Sequence, residues 1–220
     1  MTAALLPRRR VLASGAAFVT GVPVFAMLRG AAAKTLPPTP AQTAGPFYPL
    51  KFPADSDSDL VHVAGHSHAA KGPVTEVTGR VLDVNGRPMR GVEVEIWQAD
   101  ANGRYHDPRD DRAGPRPDAD FQGYGKATAD DSGGYRFLTI RPVAYPGRTP
   151  HIHFAVSGHG FAPFVTQMYI AGEAGNDRDP VLSGIRDPAA RAQVIVPLRP
   201  APEVAAGALA GSFDFVLAGV

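Results

Sequence analysis

His151-Ile152-His153 sets two imidazoles at positions i and i+2. Alternate side chains of a strand share a face, so both rings can meet one metal ion while Ile152, Phe154 and Val156 pack into a core behind them. The plain alternative is two histidines making unrelated hydrogen bonds at a strand end. Tyr145 and Arg148 stand six and three residues before His151, on a Pro-rich approach spanning 142–150. Tyr105 follows a strand-like segment in Asn102-Gly103-Arg104-Tyr105-His106. No Asp or Glu occurs within ten residues after the His pair, so a two-His-one-carboxylate ferrous site has no local carboxylate. No third His on this strand points to a three-histidine zinc site. Phenolate is a hard, anionic ligand that favours a trivalent ion. A free Tyr has a pKa of about 10, so only a strongly charged metal makes phenolate ligation favourable at neutral pH. Two tyrosinates and two imidazoles would leave one positive charge on a ferric ion and room for a solvent ligand.

The elements that must position these residues read as short strands. Val74–Val84 is followed by the turn Asn85-Gly86-Arg87-Pro88. Val92, Val94 and Ile96 alternate with Glu93, Glu95 and Trp97, a half-buried strand with one acidic face. Gly134–Ile140, His151–Val156, Phe164–Ala171, Gln193–Leu198 and Ser212–Leu217 supply further strands, and Asp187–Gln193 one or two helical turns. Asp100–Tyr124 is a long charged insertion, of the length that is functional or disordered in compact domains. Segment 34–73 reads as an extended arm, with Gly45-Pro46-Phe47-Tyr48-Pro49 as a small apolar knot in which Phe47 and Tyr48 pin the arm to the body. Short strands, 24 Gly and 22 Pro predict an all-β fold, an antiparallel β-sandwich with long loops and an extended N-terminal arm.

Composition narrows the function. The chain carries 22 Lys+Arg and 21 Asp+Glu, a net +1. Residues 1–33 hold four of the arginines and no acid, which leaves 18 bases against 21 acids, or −3, in the remainder. A nucleic-acid partner is thereby disfavoured. With 0 Cys there are no disulfides, thiolate nucleophiles or Cys-ligated metals. Arg8-Arg9-Arg10-Val11-Leu12, an apolar stretch to Leu28 and Ala31-Ala32-Ala33 have the form of a secretory signal peptide. The paired arginines resemble a twin-arginine export signal. The expected organisation is a signal peptide over 1–33, an arm over 34–73 and a catalytic sandwich over 74–220. The product would be periplasmic or extracellular, or membrane-anchored if the signal is not cleaved.

Thr43-Ala44-Gly45-Pro46-Phe47-Tyr48-Pro49, Glu95-Ile96-Trp97-Gln98-Ala99-Asp100-Ala101-Asn102-Gly103-Arg104-Tyr105, Tyr145-Pro146, Arg148-x-x-His151-Ile152-His153-Phe154 and Thr166-Gln167-Met168-Tyr169 occur in that order. As a set they resemble the intradiol ring-cleavage dioxygenases, especially the protocatechuate 3,4-dioxygenase branch. The resemblance implies a non-haem Fe(3+) cofactor, with Tyr105 and His151 as equatorial ligands and Tyr145 and His153 as axial ones. It implies that a catechol chelates the metal and displaces Tyr145, and that O2 opens the ring to a cis,cis-muconate-type diacid. Arg148 and Gln167 would stand beside the substrate, and Gly45 and Pro46 near the pocket. It also implies a homo-oligomer as the working assembly. That branch uses two homologous subunits, and a chain with all four ligands resembles the metal-binding one. The short link 147–150 departs from the usual pattern, and a helical N-terminal domain typical of the catechol and hydroxyquinol branches is missing.

Two other classes stay open at this level. A non-catalytic β-sandwich binding module would explain the strands but has no use for two Tyr and two His in register. A copper or zinc oxidoreductase would use the His pair alone. His62-x-x-x-His66-x-His68 reads as a solvated loop, Trp97 as packing surface, and Asp107, Arg109, Asp110, Asp111 and Arg112 as solvated loop charges.

Overall fold

The computed structural model describes residues 35–219. The signal peptide expected over 1–33 lies outside the described residues. Ten strands and two short helices occur among them: β1 (Val74–Asp83), β2 (Glu93–Trp97), β3 (Tyr124–Thr128), β4 (Gly134–Ile140), β5 (His151–Gly158), β6 (Phe161–Ile170), α1 (Pro180–Ser183), α2 (Pro188–Gln193), β7 (Ile195–Val196), β8 (Arg199–Pro200), β9 (Leu209–Ser212) and β10 (Phe215–Leu217).

The strands form two five-stranded sheets. One runs β10-β1-β9-β8 with β4 also on β1, and the other runs β3-β2-β5-β6-β7. The all-β reading holds, but the sheets are mixed rather than antiparallel. β9 and β10 pair parallel to β1, and β7 parallel to β6. The C-terminal strands return to β1 from far along the chain, and no hairpin dictates their direction.

The inward positions of the central strands alternate as expected, but β2 is not half-buried, since Glu95 and Trp97 on its other face are buried too. Val77 and Val81 of β1, Phe137 of β4, Val94 and Ile96 of β2, and Ile152, Phe154 and Val156 of β5 fill one core between the sheets. Phe154 packs against Phe213 and Phe215, with centroids 5.3 and 5.4 Å apart. Gly79 of β1 is required where the Phe213 link between β9 and β10 passes alongside it. A Cβ there would fall 2.0 Å from the Phe213 carbonyl oxygen.

Two expected strands shrink or split, and one strand was not expected. Gln193 ends α2, so only Ile195–Val196 remains of the strand read over 193–198. The segment 212–217 splits, because Phe213 turns into the core between β9 and β10. β3 carries no apolar alternation and is instead covered by the arm, whose Asp57 carbonyl oxygen would lie 2.4 Å from a Cβ at Gly125. The arm has no regular strand but is well anchored. Thr39 N–H donates to the Val216 carbonyl, and Leu60 N–H to that of Leu138.

Candidate metal centre

The outer face of the β2-β5-β6 sheet carries the site. Cross-strand pairing sets Trp97 opposite His153, His153 opposite Gln167, and His151 opposite Tyr169. All five side chains project to that face because odd positions of each strand do so together. The loop after β2 brings Tyr105 over it, and the turn between β4 and β5 brings Tyr145. That turn is tight. Tyr145 and Arg148 exchange backbone hydrogen bonds around Gly147, whose φ of +80° suits a residue without a Cβ. The short link 147–150 is therefore this turn.

His151, His153 and Tyr105 are buried, and Tyr145 is half-buried. His151 Nδ1 lies 2.7 Å from the Thr149 carbonyl oxygen and must donate to it, which leaves Nε2 bare. That bare nitrogen faces His153 Nε2 at 3.2 Å and the Tyr145 hydroxyl at 3.4 Å. The Tyr105 hydroxyl and His153 Nδ1 are buried with no hydrogen-bond partner. Buried polar atoms are normally satisfied. Imidazole nitrogens and phenol oxygens converging in a buried place, one phenol without a partner, make a set that a cation could occupy.

Electrostatics agree. Burial pushes His151 down to about 4, and the nearby Arg148 charge adds to this. Burial, with His151 and Arg148, holds His153 well below the ordinary imidazole range. Both rings are therefore neutral at physiological pH, as ligation requires. Burial drives the Tyr105 phenol well above its ordinary value, reinforced by Tyr145 and opposed by Arg148 and Arg112. Without a metal it stays protonated. Among the described residues no group of three or more His, Cys, Asp or Glu is placed to hold a metal. The donors gathered here are two imidazoles and two phenols, and they fit a hard trivalent ion.

Around this cluster the remaining expected residues fall into place unevenly. Arg148 makes a buried rather than a surface ion pair. Its Nε donates to Asp179 at 2.9 Å and its Nη2 to Gln167 Oε1 at 2.6 Å. Gln167 is spoken for on both ends, since its Nε2 donates to the Thr43 carbonyl at 2.9 Å and Oε1 also accepts from Tyr169. Gly45 lies against His153, where a Cβ would come 3.4 Å from Cε1. Phe47 stacks on Tyr105 at 4.6 Å, and Tyr48 donates to Glu95 at 2.7 Å while edging onto Trp97. Both pin the arm. His62 and His66 pair with different carboxylates, Asp59 and Asp120, so the three loop histidines do not gather.

Four residues have larger parts than the sequence conveyed. Trp97 lies flat on His153, with centroids 4.9 Å apart and planes 7° apart. Asp110 is not solvated, and Arg112 is only partly exposed. The Asp110 carboxylate is fully buried and accepts from Arg112 and from the Tyr105 N–H. Asp179 also went unread. It joins Arg148 and the Thr149 N–H to the N-terminus of α1. Asp179-Pro180 is a cap-plus-proline start signal that could have revealed it.

A cavity of about 370 Å³, lined by Tyr145, Arg148, Thr149, Glu173, Arg178 and Asp179, opens beside Tyr145. Of the four donors, Tyr145 is the one that lines this cavity. The Dioxygenase family model matches residues 43–219. The protocatechuate 3,4-dioxygenase beta chain of Burkholderia cepacia is 40% identical over 182 residues, which cover 79% of this chain and 77% of that one. The 6-chlorohydroxyquinol 1,2-dioxygenase of Cupriavidus pinatubonensis is 32% identical over 64% of this chain, which spans only 54% of that enzyme. The dioxygenase domain of a dioxygenase and carbohydrate-binding fusion from Streptomyces sp. SirexAA-E superposes with a TM-score of 0.64 at 30% identity, covering 84% of this chain and 100% of that one. The chain belongs to the intradiol ring-cleaving dioxygenase family and is an enzyme of that class.

Proposed function

We propose that this chain is a non-haem ferric intradiol dioxygenase whose substrate is a carboxylate-bearing catechol, protocatechuate-like in class. The observation that carries the metal assignment is the 3.2 Å approach of two neutral imidazole Nε2 atoms beside two phenols, one of which has no other partner. Tyr105, Tyr145, His151 and His153 would hold the iron. Bound there, ferric iron would act as a Lewis acid on a chelated catecholate, drawing electron density from the ring so that dioxygen can react. A copper or zinc site built on the His pair alone leaves the buried Tyr105 hydroxyl unexplained.

The chain's own residues do the rest. Tyr145 is the half-exposed donor at the cavity, so it is the one that can swing out as substrate enters, and its oxygen, which would be a phenolate with iron bound, could then take a catechol proton. Tyr105, walled in by Phe47, stays. Arg148 is immobilised by Asp179 and Gln167 beside the His pair, a preorganised cation for negative charge developing on the substrate. At the cavity, Asp179 is neutralised by Arg148 and Glu173 by Arg141. Arg178 has no carboxylate within salt-bridge distance among the described residues. One uncompensated cation at the entrance favours an anionic catechol. The arm, laid over β6 by Gln42 and Thr43, closes the site from above and keeps bulk water off it.

The assignments of residues 1–33 to twin-arginine export, with a periplasmic or extracellular destination, and of the assembly to a homo-oligomer belong to the same reading. Their support is the Arg8–Ala33 sequence pattern and the family. The decisive experiment measures iron content, visible absorption and oxygen uptake with protocatechuate, catechol and hydroxyquinol, and identifies the products. A reddish iron protein that releases cis,cis-muconate-type diacids is expected. Extradiol products, or no turnover by iron-loaded protein, would overturn the reading.

A further inference from the structure

Arg112 sits in the long charged loop between β2 and β3, yet it is held from several sides. Its Nε and Nη2 donate to the two Asp110 carboxylate oxygens at 2.7 and 2.6 Å, and Nη2 also reaches the Gly103 carbonyl at 2.8 Å. The guanidinium carbon then stands 4.6 Å from the Tyr145 ring centroid and 5.7 Å from that of Phe47. The same Asp110 Oδ2 accepts the Tyr105 N–H at 2.8 Å. One buried carboxylate thus fixes the backbone of one phenol residue and the cation that covers the ring of the other. Arg104 secures the arrangement by donating to the Asp110 and Arg112 backbone carbonyls.

We propose that Arg112 is a positioning residue for Tyr145. The clamped guanidinium holds the phenol ring by its face, keeps the hydroxyl beside His151 Nε2, and sets how readily the ring swings aside. The last clause rests on the reading of Tyr145 as the ligand that departs. Tyr145 needs such a holder because its turn is short and half-exposed and its hydroxyl reaches His151 only at 3.4 Å. A guanidinium suits the role better than an ammonium. It is flat, so it can cover a ring while its edge stays in a bidentate pair with a carboxylate.

The test uses Arg112→Lys, which keeps the charge and the pairing with Asp110 but not the flat face, and Arg112→Gln, which removes the charge. In metal-free protein the ring signals of carbon-13-labelled tyrosines are followed by NMR, with Tyr145 assigned through Tyr145→Phe. The Tyr145 signals should move in Arg112→Lys while those of Tyr124 and Tyr169 stay in place. In iron-loaded protein the tyrosinate charge-transfer band should shift. kcat should change about three- to thirtyfold, the span of one cation–π contact converted to a rate ratio, with KM little altered. Should Arg112→Gln fail to fold, Arg112→Lys alone carries the test. Unmoved Tyr145 signals in the metal-free Lys variant, or an unchanged band and kcat in its iron form, overturn the proposal. A colourless, iron-free wild type with a shifted Tyr145 signal in the variant would overturn the metal reading instead and leave the positioning role standing.

Discussion

Replacing Asp179 by Asn probes the joint that holds Arg148 in place. The Asp179 side chain is fully buried and accepts four hydrogen bonds: Arg148 Nε at 2.9 Å, and the N–H groups of Thr149, Val181 and Leu182 at 3.0 Å each. Asn keeps Oδ1 and with it the helix cap, since Asn caps as well as Asp. Its Nδ2 would face the Arg148 and Thr149 donors with a donor of its own. The Arg148 side chain, only 14% exposed, would then keep Gln167 but have no charged partner. Breaking such a pair by removing one partner costs about 3–5 kcal/mol. For a domain of this size the loss corresponds to a melting temperature lower by roughly 6–20 °C. Chemical denaturation of the metal-free protein gives the free energy, and a cycle with Arg148→Met separates the pair from the cap. The pH dependence is a second signature. Burial works to raise the Asp179 carboxyl, but the Leu182 N–H, Arg148 and Thr149 outweigh it and hold it below the ordinary value. Its contribution is therefore present in full above about pH 4, the unfolded carboxyl range, and is lost as pH falls through the lower folded value. The Asn variant should lack that share of the acid slope. A coupling energy near zero, or a loss under about 1 kcal/mol at neutral pH, would refute the account of Asp179 as the anchor of Arg148.

Tyr105→Phe removes a hydroxyl that has no partner in the protein, so the metal-free variant should be as stable as wild type or more stable by about 1 kcal/mol, while iron retention falls; a loss of metal-free stability with iron content unchanged would contradict the ligand role. The metal-free protein should lose stability as pH drops from about 6.5, where unfolded histidines begin to take protons, towards about 4, where His151 follows. The slope approaches two protons because His153 is also held neutral. Thermal melts across that range should show a flatter curve for a His151→Gln, His153→Gln double variant, and an identical slope would contradict the neutral pair.

Local spacing made part of this site readable. His151 and His153 share a face for the same reason that Ile152 and Phe154 share the core, so one pattern carried both the strand and the pairing of the two rings. Tyr105 and Tyr145 entered through the phenolate argument and the family likeness. What stayed hidden depends on contacts between distant positions. Asp179 meets Arg148 31 residues away, and no composition count distinguishes that carboxylate from the exposed Asp177 nearby. The charges of the 100–124 insertion read as solvated because charge runs usually are, whereas burial of Asp110 draws Arg104 and Arg112 inward to satisfy it. β3 was missed for a related cause. Gly125-Lys126-Ala127-Thr128 has no hydrophobic period, and its pairing with β2 is completed by the arm lying over it. Parallel pairing in the first sheet was equally out of reach, since direction is set by where the chain returns.

That return has a kinetic consequence. β1 is flanked on one side by β4 and on the other by β9 and β10, with Arg80 N–H bonded to Asp214 134 residues later. At about 5–20 residues per second of synthesis, that side of β1 waits on the order of ten seconds or more for its partner to be made. Through that interval a long strand presents an open row of backbone donors and acceptors, a ready template for mispairing between chains. Holding nascent chains apart, by a chaperone or by low expression rate, should therefore decide the yield of folded protein. Deleting the final β10 strand should leave the candidate metal ligands in the sequence but send the chain into aggregates.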